Sequence, residues 1–209
     1  MNRFQMLAVI LMSTAFITSG AIYSPLYAQQ AQTLFDGEVS HGGFGGPVLK
    51  IGNVAGSTGF WIGGRGGWIM NLDEHHAISL GGGGYGLVSD HEVPVPSTEE
   101  DLYALNGYGG FIVEYTNRSY NIVHFTATSL IGAGGLMLRE KDYQDVNDDA
   151  DTYFVFEPGV NVELNVTNFF RIGAGASYRL TSGINRFGFS DSDFSGLNGV
   201  ITFKFGKFL

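Results

Sequence analysis

Charged side chains recur at alternate positions inside otherwise apolar segments of this chain. Between residues 152 and 181, Glu157, Glu163, Arg171 and Arg179 share one face, and Phe, Val, Ile and Leu side chains occupy the other. Carboxylates near cations could form a binding or catalytic site, or could form ion pairs that only fill an interior. The positions of this kind are Lys50, Arg65, Glu114, Glu157, Glu163, Arg171, Arg179 and Lys204.

A hydrolase cluster is the sharpest catalytic hypothesis. His124, Thr126, Thr128 and Glu114 could meet on a barrel wall and act on a lipid ester. Hydroxyl groups that alternate with apolar residues are ordinary in a strand, however. We therefore expect no catalytic residue, and we keep an outer-membrane lipid-modifying hydrolase as an alternative.

Two further patterns could indicate cofactors, and both are incomplete. The segment 145–149 begins like a calcium loop, but Ala150 stands where glycine is needed and Phe156 stands where the closing glutamate is needed. The glycines of 81–86 match a dinucleotide fingerprint, but the segment reads as a strand and opens no helix. We expect no cofactor and no true metal site, and weak contact of divalent cations with acidic loops stays open.

The charged positions belong to long alternating strands, because alternate side chains of a strand point to opposite faces. These segments exceed the usual ~5–6 residues of a soluble strand, which suits a barrel wall between lipid and a polar interior. The predicted strands are 44–54, 59–71, 76–89, 102–116, 120–138, the two arms of the hairpin 152–181, and 194–209.

The lengths of the connections support an outer-membrane barrel. Connections after the second, fourth and sixth strands are short, and those after the third, fifth and seventh are long. Outer-membrane barrels have short periplasmic turns, longer extracellular loops and an even strand number. The sequence thus predicts an all-β protein, an eight-stranded antiparallel up-and-down transmembrane β-barrel.

The interior of such a barrel is just wide enough for side chains, so the charged residues should form ion pairs that fill it. In the hairpin, a three-residue turn at 166–168 would place Glu163 opposite Arg171. A register slipped by two residues would place Glu157 opposite Arg179. A narrow pore or a small-ligand site in the interior stays open.

Aromatic residues on the apolar faces are predicted to lie at the lipid interface. Tyr103 and Tyr115 share a face and are separated by a rise of ~40 Å along the strand. At the usual strand tilt this is about 30 Å along the membrane normal, which places them at or just beyond the two edges of the apolar band. The predicted interface residues are Phe60, Trp68, Tyr103, Tyr115, Phe154, Phe170, Tyr178, Phe203 and Phe205.

The N-terminus indicates export. A positive start and an apolar run precede a cleavage region, so we expect a signal peptide over 1–28, with cleavage after Ala28 and an alternative site after Ala31. A periplasmic lead-in over 29–43 and the barrel over 44–209 would follow. The chain has no cysteine, and its 20 acidic against 11 basic residues argue against a nucleic-acid partner.

The chain resembles small bacterial outer-membrane β-barrel proteins of the OmpA-transmembrane and OmpX-like kind. The segments GGRGGWIMN, GGGGYG and EPGVNVELNV carry the resemblance, together with the closing strand, in which Ile201, Phe203 and Phe205 alternate. Lys207 interrupts that alternation, and the chain ends in Phe208-Leu209. The resemblance implies the outer membrane of a Gram-negative bacterium, contact with its lipid, and recognition by the barrel-insertion machinery.

The expected function is a structural or surface-interaction role through acidic extracellular loops, with loop ligands as open partners. The main alternative is a soluble periplasmic β-barrel that binds a small apolar ligand. In that alternative, the apolar side chains from Phe154 to Val166 would face a cavity, and Arg171 and Arg179 would face water.

Overall fold

The computed structural model describes residues 39–92, 102–140 and 150–208. The predicted signal peptide and the two segments 93–101 and 141–149 lie outside the described residues. In the part that is described, no helix is long and apolar enough to cross a bilayer. The elements are the strands β1 (Ser40–Val54), β2 (Ser57–Asn71), β3 (His76–Leu87), β4 (Leu102–Asn117), β5 (Val123–Glu140), β6 (Asp151–Asn165), β7 (Phe170–Ser182) and β8 (Gly196–Lys207), with a short helix α1 (Asp191–Phe194) before β8.

The eight strands form one closed barrel in which each strand pairs with its neighbours in sequence order. All of the pairs are antiparallel, and β1 closes the sheet by pairing with β8, for example Leu49 with Ile201. The predicted all-β, up-and-down, eight-stranded barrel is therefore confirmed.

Strand boundaries differ from the sequence-based prediction at a few points. β1 begins at Ser40, so residues 40–43 belong to the barrel wall and not to a lead-in. β5 begins at Val123 rather than Tyr120, because Arg118 has a positive φ of 55° and Asn121 N donates to its carbonyl oxygen. β8 begins later than predicted, since Phe194 closes α1.

The turn between β1 and β2 is tight. Ala55 and Gly56 have φ values of 48° and 78°, and Val54 pairs with Ser57. Two central residues with positive φ form the hairpin turn that matches the right-handed twist of its strands. This connection is therefore short even though it lies at the same end of the barrel as the three long ones.

Several glycines permit close contact between neighbouring strands. A Cβ atom on Gly81 would collide with the carbonyl oxygen of Gly66, and one on Gly132 would collide with that of Gly109. Glycine in a strand interior usually marks such close approach or strong curvature. The glycine-rich stretches of β2 to β5 are therefore required by the narrow barrel.

The two faces of the wall differ in polarity. Apolar side chains on the outer face are widely exposed, and charged side chains on the inner face are buried. The barrel also has two distinct ends. We call the end with the three long connections the loop end, and the end with the turns at 72–75, 118–122 and 166–169 the turn end.

Candidate functional site

All eight predicted interior residues are buried. None exceeds 8% exposure, although each carries a formal charge. Burying a charge costs several kcal/mol unless a partner of opposite charge and hydrogen bonds compensate. The contacts of these residues therefore decide whether the interior is a site or a packed core.

One ion-pair network lies between β4, β6 and β8. Lys204 Nζ lies 2.5 Å from Glu114 Oε1 and 2.5 Å from Glu163 Oε1. Arg65 adds a contact of 3.4 Å to Glu114, and His124 Nε2 lies 3.4 Å from Glu163 Oε2. Because Lys204 contacts both carboxylates, the network connects three strands that are not neighbours in the sheet.

A second group surrounds Glu157 on β6. Lys50 Nζ lies 2.7 Å from Glu157 Oε1, the Tyr108 hydroxyl donates to Oε2 at 2.6 Å, and the Ser177 hydroxyl donates to Oε1 at 2.5 Å. The Lys50 ammonium also lies 3.4 Å from the centre of the Tyr85 ring. Glu157 is thus paired across the interior with β1, and not across the hairpin.

Of the two registers predicted for the hairpin, the structure has the second, but the charges that it places opposite each other form no ion pair. Phe156 pairs with Leu180 and Gly159 with Ser177, which is the register predicted to place Glu157 opposite Arg179. Arg179 nevertheless donates from Nε to the Phe194 carbonyl oxygen at 2.5 Å. Strand parity determines the face of a residue, but a narrow interior lets long side chains reach the opposite wall.

Two of the buried interior arginines have no carboxylate among the described residues within ion-pair distance. The Arg179 guanidinium lies 4.2 Å from the Trp61 ring, and the described residues supply no acceptor for its Nη atoms. The Arg171 guanidinium lies 3.9 Å from the Phe208 ring and donates to the Ser119 hydroxyl at 3.0 Å. Aromatic faces stabilise such cations in place of carboxylates.

The cavity among the interior charges is small. It has a volume of about 20 Å³ and lies against Lys50, Arg65, Glu157, Asn161 and Ser177. A cavity of that size holds about one water molecule. The described side chains therefore leave no room for an organic ligand at this point of the interior.

The segment 183–195 closes the loop end. Phe194 is fully buried and packs edge-on against Phe189, with ring centres 5.4 Å apart. The carboxylate of Asp151 accepts hydrogen bonds from the backbone of Asn185 at 2.9 Å and of Arg186 at 3.0 Å. This segment forms a plug with its own apolar core.

Phe208 closes the turn end. Its side chain is 2% exposed and packs with Ile69 and Ala77, and its carbonyl oxygen accepts a hydrogen bond from Asn71 Nδ2 at 3.2 Å. Phe208 has the same parity as Lys204, so it points inward. Strand alternation in the sequence already predicts this inward direction. The sequence-based interpretation of the closing strand considered only its outward residues, Ile201, Phe203 and Phe205.

His91 lies at the rim of the loop end between two hydroxyl groups. Its Nδ1 lies 2.9 Å from Ser57 Oγ, and its Nε2 lies 2.9 Å from Ser89 Oγ. Phe60 N donates to Ser89 Oγ, so these serines also complete the end of the β2–β3 ladder. Burial lowers the pKa of His91, although the Asp90 carboxylate raises it, and the ring is therefore neutral at pH 7. Nothing in the local sequence distinguishes His91, so alternation and spacing do not predict its position between the two serines.

The hypothetical hydrolase group does not form a direct cluster. His124 is 1% exposed and contacts Glu163, whereas the ion pairs of Glu114 are with Arg65 and Lys204. Thr126 Oγ1 also lies near Glu163, at 3.4 Å. The His124 ring is therefore buried inside the described part of the barrel. The calcium-like segment 145–149 lies outside the described residues.

Most predicted interface aromatics lie on the outer face, with one clear exception. Phe60, Trp68, Tyr115, Phe154, Tyr178 and Phe205 are exposed, and Phe170 and Phe203 are half-buried. Tyr103 is only 7% exposed, because Glu92 pairs with its backbone and the Arg139 guanidinium lies 5.5 Å from its ring. The predicted position of Tyr103 against lipid is therefore wrong.

No protein-family model and no curated protein matches this sequence. Among the solved structures that match is Neisserial surface protein A, with 11% identity and a TM-score of 0.44, covering 83% of this chain and 100% of that one. Another is Ail, the attachment invasion locus protein of Yersinia pestis, with 13% identity and a TM-score of 0.39, covering 81% and 97%. A structure of Ail in complex with the heparin analogue sucrose octasulfate also matches, with 14% identity and a TM-score of 0.40, covering 81% of this chain and 97% of that one. Sequence identities and TM-scores this low carry no inference about function. The chain itself has the closed eight-stranded architecture of the small outer-membrane barrels.

Proposed function

We propose that this protein is an outer-membrane β-barrel with a structural or surface-interaction role and no catalytic activity. The observation that carries the proposal is the exposed apolar outer wall. Val160 and Leu197 are 63% and 66% exposed, and Phe60, Phe111 and Phe154 are about half exposed. Soluble monomers rarely expose such a continuous apolar surface, and a bilayer would cover it.

The inner face opposes the soluble ligand-binding alternative. A barrel that carries an apolar ligand needs an apolar cavity of several hundred Å³. This interior instead holds paired charges around a cavity of about 20 Å³, and Phe154 and Val162 point away from it. The reversed hairpin that this alternative requires is therefore not the geometry of the chain.

The closed ends and packed interior favour a role at the surface over transport. With Phe194 at one end and Phe208 at the other, the barrel resembles a solid anchor. The loop end carries the acidic connections, and Asp90 and Glu92 are its exposed carboxylates next to the rim. Because the turns belong to the periplasmic side in such barrels, the loop end would face the exterior. Divalent cations or cell-surface ligands would meet the loops there.

Two measurements on the full-length protein test this proposal. After envelope fractionation, the protein should sediment with the outer membrane and migrate differently on a gel when unheated and when boiled. A soluble protein without heat-dependent mobility would contradict the proposal.

A matched pair of lysine variants tests the outer wall directly. Val160→Lys places a charge on the apolar wall of β6, where it should cost about 2–4 kcal/mol near the middle of the bilayer. Asn185→Lys places the same charge on the exposed loop-end segment and should insert normally. Equal yields of folded barrel for the two variants would show that lipid does not cover this wall.

A further inference from the structure

A shallow apolar groove of about 430 Å³ crosses the outer wall from β4 to β7. Its small side chains are Ala127 on β5 and Ala174 and Ala176 on β7, which flank the valines of β6. Ala127 pairs with Val160, and Val160 pairs with Ala176, so these residues form one continuous row across three strands. Phe125 and Val162, which also line the groove, are large and exposed, and they bound this row.

A polar cluster lies at the turn-end margin of this groove. Tyr115 lines the groove, and its hydroxyl accepts a hydrogen bond from Asn117 Nδ2 at 3.2 Å and lies 2.5 Å from His76 Nδ1. Arg118 follows directly and is exposed, and its backbone N donates to the His75 carbonyl oxygen. Arg118 itself lines an adjoining hollow with Glu74 and His75. The groove therefore joins an apolar floor to a polar margin, and a cation lies in the hollow beyond that margin.

We propose that this groove binds one phospholipid of the periplasmic leaflet. An acyl chain lies over Ala127 and Ala176, and the phosphate lies near Asn117 and Arg118. This inference rests on the proposed membrane location, because only a membrane protein would meet the lipid at this height.

The shape of the groove favours an acyl chain over a second copy of the barrel. Within a bilayer, association depends on van der Waals packing, since lipid tails are as apolar as protein side chains. A narrow chain fills a groove with an alanine floor and gains contacts that a flat wall does not offer. The wall of a second barrel is convex and would leave this floor empty. A phosphate also complements Arg118, although Glu74 nearby limits the local positive charge.

The test compares two leucine variants on the same strand. Ala127→Leu fills the groove, and Ala133→Leu adds the same side chain at an exposed outward position of β5 beyond it. Each protein is extracted from outer membranes in mild detergent, and the phospholipid that remains bound is quantified by native mass spectrometry. Phosphatidylethanolamine and phosphatidylglycerol are then added back as defined probes.

We expect the wild type and Ala133→Leu to retain one phospholipid per barrel. Ala127→Leu should retain about tenfold less, the effect of losing roughly ten atom contacts at about 0.1–0.2 kcal/mol each. Arg118→Gln should weaken the binding of both probes. Equal retention by the two leucine variants, or a wild type without lipid, would overturn the inference.

Heat-dependent mobility separates this test from that of the proposed function. A variant that inserts and shifts on the gel but retains no lipid contradicts only the groove. A wild type that never reaches the membrane contradicts the proposed function itself. Sensitivity to Arg118→Gln without sensitivity to Ala127→Leu would indicate headgroup contact alone, and would also overturn the inference.

Discussion

At each end of the barrel interior a buried aromatic residue contacts a buried arginine, but the contacts differ in type and in scale. At the loop end Arg179 Nε donates to the backbone carbonyl oxygen of Phe194, and at the turn end the Phe208 ring lies over the Arg171 guanidinium. The loop-end closure is a 13-residue segment with a helix, an apolar core and several backbone hydrogen bonds. The turn-end closure is essentially one side chain.

This difference indicates which end tolerates change. Many contacts hold Phe194, so its segment can act as a cooperative unit, and the loss of its ring removes the centre of that unit. Phe208 lies just beyond β8 and is held by fewer contacts, so its backbone can relax more readily around a smaller side chain. The loop-end closure should therefore contribute more to the free energy of unfolding. A substitution at the turn end should disturb only the residues around it.

Phe194→Ala should have the largest effect. Removal of a fully buried ring should lower the free energy of unfolding by about 3–5 kcal/mol. The measurement is urea unfolding of the barrel in phospholipid vesicles, followed by tryptophan fluorescence, to which the nearby Trp61 contributes. Phe169→Ala, in an exposed turn, is the control and should change little. A loss below that of Phe208→Ala would reverse the comparison.

Phe208→Ala should be less severe, at about 1–3 kcal/mol, since Phe208 packs in a smaller cluster than Phe194 does. The ring contact with Arg171 can be isolated, because Phe208→Leu keeps apolar bulk and Phe208→Trp keeps an aromatic face. The same unfolding assay should show rescue by tryptophan and not by leucine. Equal rescue by both would assign the effect to apolar burial alone.

Arg179→Met should change stability by about 1 kcal/mol or less, and in either direction. This guanidinium is completely buried, and the described part of the chain supplies no acceptor for its Nη atoms. Replacement of a poorly compensated buried charge by an apolar side chain is often neutral or stabilising. Arg171→Met is the paired variant at the other end, and it should destabilise more, because it loses two hydrogen bonds to Ser119 where Arg179→Met loses the one to Phe194. A decrease in the free energy of unfolding larger than this in Arg179→Met would indicate a partner that stabilises the charge.

Acidification should affect the His91 site at the loop end, and with the smallest amplitude. The folded state lowers the pKa of His91 below its ordinary 6.5. Its stabilising contribution is therefore complete above pH 6.5 and is lost as pH falls through the folded value. Protonation removes the acceptor nitrogen for a serine hydroxyl, next to the charges of Asp90, Glu92 and Arg139.

Hydrogen exchange can detect that change. The Ala104 amide donates to the His91 carbonyl oxygen at 2.8 Å, so its protection factor should fall below pH 6.5. Asp73 at the turn end should add no step in this pH range, because two backbone N–H groups hold its pKa below its ordinary 3.8. In His91→Asn the step should disappear. A step that persists in this variant would assign the change to another group.

The sequence predicted the faces of the wall well, because strand alternation is a local property. Glu163 and Arg171 are inward and Phe154 and Val162 are outward, as the alternation required. The partners of the inward charges were not predictable. Lys50 and Glu157 are 107 residues apart, and their contact depends on the curvature and closure of the whole sheet.

The end closures were also missed, for a different reason. Phe194 and Phe208 each lie at a strand boundary, where alternation ends and the main chain turns. Tyr103 illustrates the same limit, since its parity is outward but the segment after β3 covers it. Residues at strand ends are positioned by tertiary contacts that a pattern of period two does not describe.

The long reach of the interior ion pairs has a consequence for how this barrel can assemble. Lys50 of β1 bonds to β6, and Lys204 of β8 bonds to Glu114 of β4 at a separation of 90 residues. A half-inserted sheet would hold several of these carboxylates and cations without partners in a region of low polarity, at a cost of several kcal/mol each. Contacts of such long range also slow folding, because the chain must first close large loops. We therefore expect insertion to be nearly all-or-none, with intermediates that need a protective machinery until β8 meets β1.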